Sequence, residues 1–250
     1  MRYIDAFNHF FPAPLWQKML ESDGAAKDIG KRMRGIPCIY DLDTRFRVMD
    51  EFGADYSQVI SLGMPPLEAL GDPATTTELA RIGNDGQAAL VAKHPDRFAG
   101  WLASLPMNDA DASAKEAERA FAMGANGLQI HSNINGAPLD EERFFPIFEI
   151  AAKAGRPIML HPARGASMSD YATESKSKYE IWWTFGWPYE TSAAMARMVF
   201  SGLFDKLPEL KVLAHHLGAM VPYFEGRVGP GWDLIGSRTS DEDLTKVRDR

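Results

Sequence analysis

Three short apolar runs in this chain end in histidine, and few structures can accommodate that pattern. Pro157-Ile158-Met159-Leu160-His161-Pro162 is one; Tyr3-Ile4-Asp5-Ala6-Phe7-Asn8-His9, at the start of the sequence, is the second; Lys211-Val212-Leu213-Ala214-His215-His216 is the third. A short apolar run bounded by turn residues reads as a strand buried in a parallel sheet. In α/β barrels the chemistry sits at the C-terminal ends of such strands. Imidazoles at the ends of separate strands therefore predict one shared site.

The segments between these runs repeat a single rhythm. Leu42, Phe46 and Met49 have helical spacing over 41–52, with Gly53 as a stop, and 56–62 follows as a strand. Helices are predicted over 75–93, 110–123 and 139–154, and strands over 98–105, 127–131 and 157–161. This alternation implies a parallel sheet, and short apolar strands with helices between them favour a TIM-type (β/α)8 barrel; the alternative is an open doubly wound sheet. The chain of 250 residues is read as a single domain spanning 1–250. Two long connections interrupt it: an insertion over 23–40 carrying Lys31, Arg32, Arg34 and Cys38, and a loop over 164–188 rich in Ser, Tyr and Trp. Loops of that length are uncommon unless functional, so the first is expected to fold over the barrel mouth and the second to wall the pocket.

About six strands can be counted, and no apolar run remains after His216 for strands seven and eight. The expectation is the first three quarters of a longer barrel, lacking its last two β/α units.

Composition narrows the partners. A formal net charge of −7 offers no basic surface to nucleic acid or to an anionic membrane, so an anionic substrate must be met by placed arginines. No stretch approaches the length of a membrane span, Asp5 interrupts any signal-peptide core, and the single cysteine, Cys38, cannot form an intrachain disulfide. A cytoplasmic protein is expected.

Phe7 and His9 lie two apart on their strand and point to one side, as do Ala214 and His216 on the later one; His215 is then expected to face the surrounding helices. Imidazoles converging at strand ends can hold a divalent ion that lowers the pKa of bound water or polarises a substrate oxygen. His131 ends another strand and either lines the pocket or bonds the backbone. His94 reads as a solvated helix end. Arg164 and Arg34 are candidates to grip a carboxylate; Arg47, inside a helix, reads as a surface ion pair. The aromatic residues after His161, Trp183 among them, are expected to enclose a substrate.

The segments Ile4-Asp5-Ala6-Phe7-Asn8-His9-Phe10-Phe11-Pro12, Met49-Asp50-Glu51-Phe52-Gly53, Leu160-His161-Pro162 and His215-His216-Leu217-Gly218-Ala219-Met220-Val221-Pro222 together resemble the amidohydrolase-related family, which includes aminocarboxymuconate semialdehyde and gamma-resorcylate decarboxylases. The resemblance implies a TIM barrel with one divalent metal, zinc first and manganese second. It makes His9 and His161 metal ligands and His216 the acid/base residue, and it places Arg34 near the arginine that grips the substrate carboxylate. It also implies a homodimer. Two departures stand out: Phe7 replaces the first histidine of the family's HxH pair, and the strand-eight aspartate would lie beyond Arg250. Asn8 or His131 are then candidates to support the ion.

The expected function is a metal-dependent decarboxylase of a small aromatic or unsaturated carboxylic acid. A hydrolase or hydratase of lactonase type is the near alternative. From a different class comes a metal-free degenerate barrel acting as a binding or assembly protein.

Overall fold

The computed structural model describes residues 3–21 and 32–231. The first part of the 23–40 insertion, Lys31 included, and the polar tail from 232 to Arg250 lie outside the described residues.

Six strands form one sheet: β1 (Tyr3–His9), β2 (Tyr56–Ser61), β3 (Phe98–Ser104), β4 (Gly127–His131), β5 (Ile158–His161) and β6 (Val212–Ala214). Every neighbouring pair is parallel, and the spatial order is the sequence order. A doubly wound sheet reverses its order at a switch point; here there is no reversal among the described strands, which removes that alternative. The sheet is also strongly curled. Flat packing would put the ends of β1 and β5 roughly 19 Å apart, four strand spacings, yet the rings of His9 and His161 lie 5.1 Å apart. The fold is a partial (β/α)8 barrel in which the curl brings distant strands to one mouth.

Helices α1 (Ala13–Glu21), α2 (Leu42–Asp50), α3 (Pro73–Lys93), α4 (Ala110–Ala122) and α5 (Phe145–Lys153) alternate with the strands. Local chemistry sets their starts. The carboxylates of Asp41, Asp72 and Asp109 each accept from the backbone N–H three residues on, capping α2, α3 and α4. The helix expected from residue 139 begins later, because Asn133–Ile134 and Ala137–Pro138 pair as a small hairpin first and Pro146 sits in the opening turn. The main core joins sheet residues such as Ile60, Trp101, Leu128, Ile130 and Ile158 to Phe144, Ile147 and Phe148 from the helical layer.

The 164–188 connection is less irregular than expected. It contains the short helix α6 (Ile181–Thr184), and α7 (Gly186–Phe200) begins inside it. Gly186 is required there, since a Cβ would come within 2.4 Å of Cδ of Arg164. Beyond β6 the chain forms a 3-10 turn, Val221–Tyr223, and one helical turn, Glu225–Val228.

Candidate metal centre

The site is built where β1, β5 and β6 end. β1 reaches it through a bulge: Asp5 pairs with Gln58 but Asn8 pairs with Ile60, so three steps on β1 oppose two on β2. Asn8 closes the bulge, its Nδ2 donating to Asp5 O at 3.0 Å and Val59 O at 2.9 Å. Its Oδ1 accepts from Arg45 at 2.5 Å. Both ends of the amide are therefore engaged away from the mouth, and Asn8 is not placed to support an ion.

One ring nitrogen from each of His9, His161 and His215 lies within 4.8 Å of the others. His215 was expected to face the helices, and this is a correction. Alternation holds only within a strand, and β6 stops at Ala214. The backbone then turns, with His216 and Leu217 at φ 53° and 56°, in the left-handed region, and His215 swings beneath the mouth, where it is 4% exposed. Its ring stacks on His9 at 5.9 Å and meets Phe7 edge-on at 4.6 Å. Phe7 therefore offers no ligand, and its ring fixes the plane of an imidazole that can.

Hydrogen bonds set the tautomers. His161 Nδ1 lies 2.8 Å from Pro162 O and His215 Nδ1 lies 2.9 Å from Leu160 O. A carbonyl only accepts, so both nitrogens carry the proton. The single hydroxyl proton of Ser61 goes to Asn8 O, so Ser61 Oγ accepts from His9 Nδ1 at 2.9 Å. In all three rings Nε2 then holds a lone pair, and that of His215 is buried with no hydrogen-bond partner in the protein. Burial, with help from the neighbouring imidazole of His215 and the Arg45 guanidinium, pushes His9 down to about 3. Burial likewise takes His215 to about 4 and holds His161 well below its usual value. Three neutral imidazoles whose Nδ1–H groups are held by oxygen acceptors make a donor set that fits a divalent ion.

The other candidates fall into place around this trio. His216 is exposed on the open side, its ring 6.4 Å from His161 and stacked on Trp187 at 6.0 Å. His131 is 6% exposed, its ring 5.2 Å from that of His161. Trp187 touches the histidines directly, 5.8 Å from His161; Trp183 stands one ring further out, 6.4 Å from Trp187, with Nε1 donating to Glu180. Arg164 is engaged by Glu190 Oε1 at 3.2 Å and Ser169 O at 3.1 Å, bracing the long loop. Arg34 is exposed, and Arg32 is the arginine set against the aromatic wall, 5.7 Å over Trp182 and paired with Glu180. His94 caps the end of α3.

Two residues that sequence reading passed over shape the centre. Arg45 is 5% exposed and donates to Gln58 Oε1, His9 O, Cys38 O and Asn8 Oδ1, tying the end of β1 to α2 and to the insertion. A signal existed, for Arg45 falls on the apolar stripe Leu42, Phe46, Met49. Glu68, 3% exposed beside His131, is an isolated acid in the 3-10 turn Leu67–Ala69 and gave none.

A family model described as Amidohydrolase matches residues 4–238. The chain belongs to the amidohydrolase family. Among its relatives in that family, the 2-amino-3-carboxymuconate-6-semialdehyde decarboxylase of Dictyostelium discoideum is 34% identical over 206 residues, covering 82% of this chain and 55% of that protein. The crystal structure of 5-carboxyvanillate decarboxylase from Sphingomonas paucimobilis superposes with a TM-score of 0.80 at 27% identity, covering 94% of this chain and 74% of that one. A dihydroxybenzoic acid decarboxylase from Polaromonas sp., solved with bound manganese and the inhibitor 2-nitroresorcinol, gives a TM-score of 0.73 at 28% identity, over 92% of this chain and 70% of that one. This amidohydrolase chain spans little more than half the length of the curated relatives it matches.

Proposed function

We propose that this chain carries the reaction centre of a divalent-metal-dependent, non-oxidative decarboxylase acting on a small aromatic or unsaturated carboxylic acid. The observation that carries the reading is the convergence of His9, His161 and His215 with their Nδ1–H groups committed to oxygen acceptors. His9, His161 and His215 would hold the ion. When bound, it supplies the positive charge that orients a carboxylate and an adjacent oxygen. Imidazole donors favour zinc over manganese, and the manganese-bound Polaromonas relative makes manganese the competitor.

His216 stands beside the trio and is open to water, which suits a group that delivers a proton and is reprotonated from solvent. We assign it the proton that replaces carbon dioxide: the bond from the ring or alkene carbon to the carboxyl breaks, its electron pair stays on carbon, and a C–H bond forms as CO2 departs. Trp187, backed by Trp182 and Trp183, covers the substrate face and limits water. His131 flanks the substrate from β4. Arg34 is kept as the residue that draws in the carboxylate, and Arg164 as the brace of the tryptophan wall. The names of the relatives support the decarboxylase reading, and the lone cysteine agrees with a cytoplasmic setting.

The test is metal analysis of the purified chain coupled to CO2 release from a panel of hydroxybenzoic acids. Near-stoichiometric zinc or manganese, lost in His161→Ala, together with CO2 from any acid of the panel, is the expected result. Metal-free protein that releases no CO2 after incubation with either ion would overturn it.

A further inference from the structure

A second polar chamber lies behind the histidines, between the ends of β2, β3 and β4. Glu68, His131, Ser104 and Gln129 line one small cavity there, walled otherwise mainly by apolar side chains such as Leu62 and Leu105. Each of the four contributes a buried polar atom without a hydrogen-bond partner in the protein: Glu68 Oε1, His131 Nε2, Ser104 Oγ and Gln129 Oε1. Buried polar atoms are nearly always paired, and four unpaired ones on one cavity point to a ligand group that pairs them. The cavity measures about 10 Å³, room for about one non-hydrogen atom.

The walls are fixed in advance. Gln129 Nε2 donates to Leu62 O at 2.5 Å, Asn135 Nδ2 to Glu68 O at 3.0 Å and Asn84 Nδ2 to Ser104 O at 2.9 Å. The chamber borders the metal centre across one shared residue: His131 lies 3.9 Å from Glu68 Oε1 on one side and 5.2 Å, ring to ring, from His161 on the other.

We propose that this chamber is a subsite for one uncharged hydrogen-bonding substituent, a hydroxyl or amino group, carried by the acid bound at the histidine trio, with Glu68 as the residue that reads it. The inference rests on the reading that a carboxylic acid binds at that trio. Burial favours the neutral carboxyl of Glu68, pushing it up to about 7, and a neutral carboxyl both donates and accepts. Ser104 also does both, while Gln129 Oε1 only accepts, so the chamber can satisfy an O–H or N–H donor and its lone pair together. No lysine or arginine lines it, so a second carboxylate or a phosphate is rejected there.

The experiment is isothermal titration calorimetry of the full chain with Mn2+ present, using benzoate and its monohydroxy and monoamino isomers. At least one substituted isomer should bind about tenfold or more tightly than benzoate, since a site built to bond a polar group discriminates against its absence. In Glu68→Leu that ratio should fall below about threefold, and in Glu68→Gln most of it should survive, because an amide also donates and accepts. Ser104→Ala provides a milder truncation should the leucine variant melt early, and it should lower the ratio severalfold. A ratio unchanged in Glu68→Leu and Ser104→Ala, as expected if the chamber houses only water, overturns the subsite; so does a parent chain that binds no isomer better than benzoate. Failure of every acid, benzoate included, to bind the parent chain would instead overturn the carboxylic-acid reading beneath it, and the subsite with it.

Discussion

At the residue scale the decisive side chain is His215. Its neighbour His216 occupies the position the family resemblance favours, yet His215 is the one beneath the mouth, between His9 and Phe7. The two histidines therefore separate by experiment. His215→Ala should lose bound metal as completely as His161→Ala, read by elemental analysis. His216→Gln should keep its metal and lose roughly 10² to 10⁴ in kcat, the usual range for a proton-transfer residue. Metal retained in His215→Ala would return that side chain to the role of a packing residue. Glu68 gives a second prediction. Its carboxyl keeps its proton up to about 7 in the folded chain, against a usual value of 4.5, so between those values the folded state binds more protons than the unfolded one. Stability then falls as pH rises through that window and levels off above about 7, by up to about 3 kcal/mol. Urea titrations at pH 5 and pH 7.5 should show this fall in the parent and a smaller one in Glu68→Gln.

At the scale of elements, strands and helices were legible because their signals are local. Periodicity and glycine stops placed β1 to β5 and α2 to α4 within a residue or two, and the histidine-terminated runs picked out β1, β5 and β6 as bearers of the site. What stayed hidden depends on contacts that sequence spacing does not carry. The hairpin at Asn133–Pro138 did leave a signal, Asn135-Gly136, whose φ values of 51° and 89° are those of a type I′ turn; it went unread beside the stronger helical pattern that follows. The direction of His215 could not be read, because it depends on where β6 stops pairing with β5. Arg45 was missed because a charge on an apolar stripe is first taken for a surface residue. Its burial makes an element-scale prediction: Arg45→Met leaves Asn8 Oδ1, His9 O, Cys38 O and Gln58 Oε1 without their donor and should cost roughly 3 kcal/mol by urea unfolding. Arg45→Lys, which cannot serve four acceptors at once, should recover only part of that loss. A loss below about 0.5 kcal/mol would mean that water takes over the role of the guanidinium.

At the scale of the whole molecule the curled sheet, among the described residues, has two margins, β1 and β6. They carry Tyr3, Ile4, Phe7 and Leu213, each more than 40% exposed. Exposed apolar strand edges favour association, so sedimentation velocity of the 250-residue chain should show self-association that Ile4→Lys or Leu213→Lys reduces; unchanged sedimentation in both variants would clear the margins of that role. The same geometry gives the histidine trio a mechanical meaning. His9 ends one margin, His215 follows the other, and His161 stands on the strand beside it, so an ion shared by all three would act as a clasp fastening the two lips of an open bowl. Occupancy would then register as rigidity far from the chemistry. Stabilisation by an ion that binds only the folded chain grows with its concentration above Kd, about 2.7 kcal/mol at a hundredfold excess, and here the gain should concentrate at the lips, slowing amide hydrogen exchange in β1 and β6 and leaving β3, mid-sheet, unchanged.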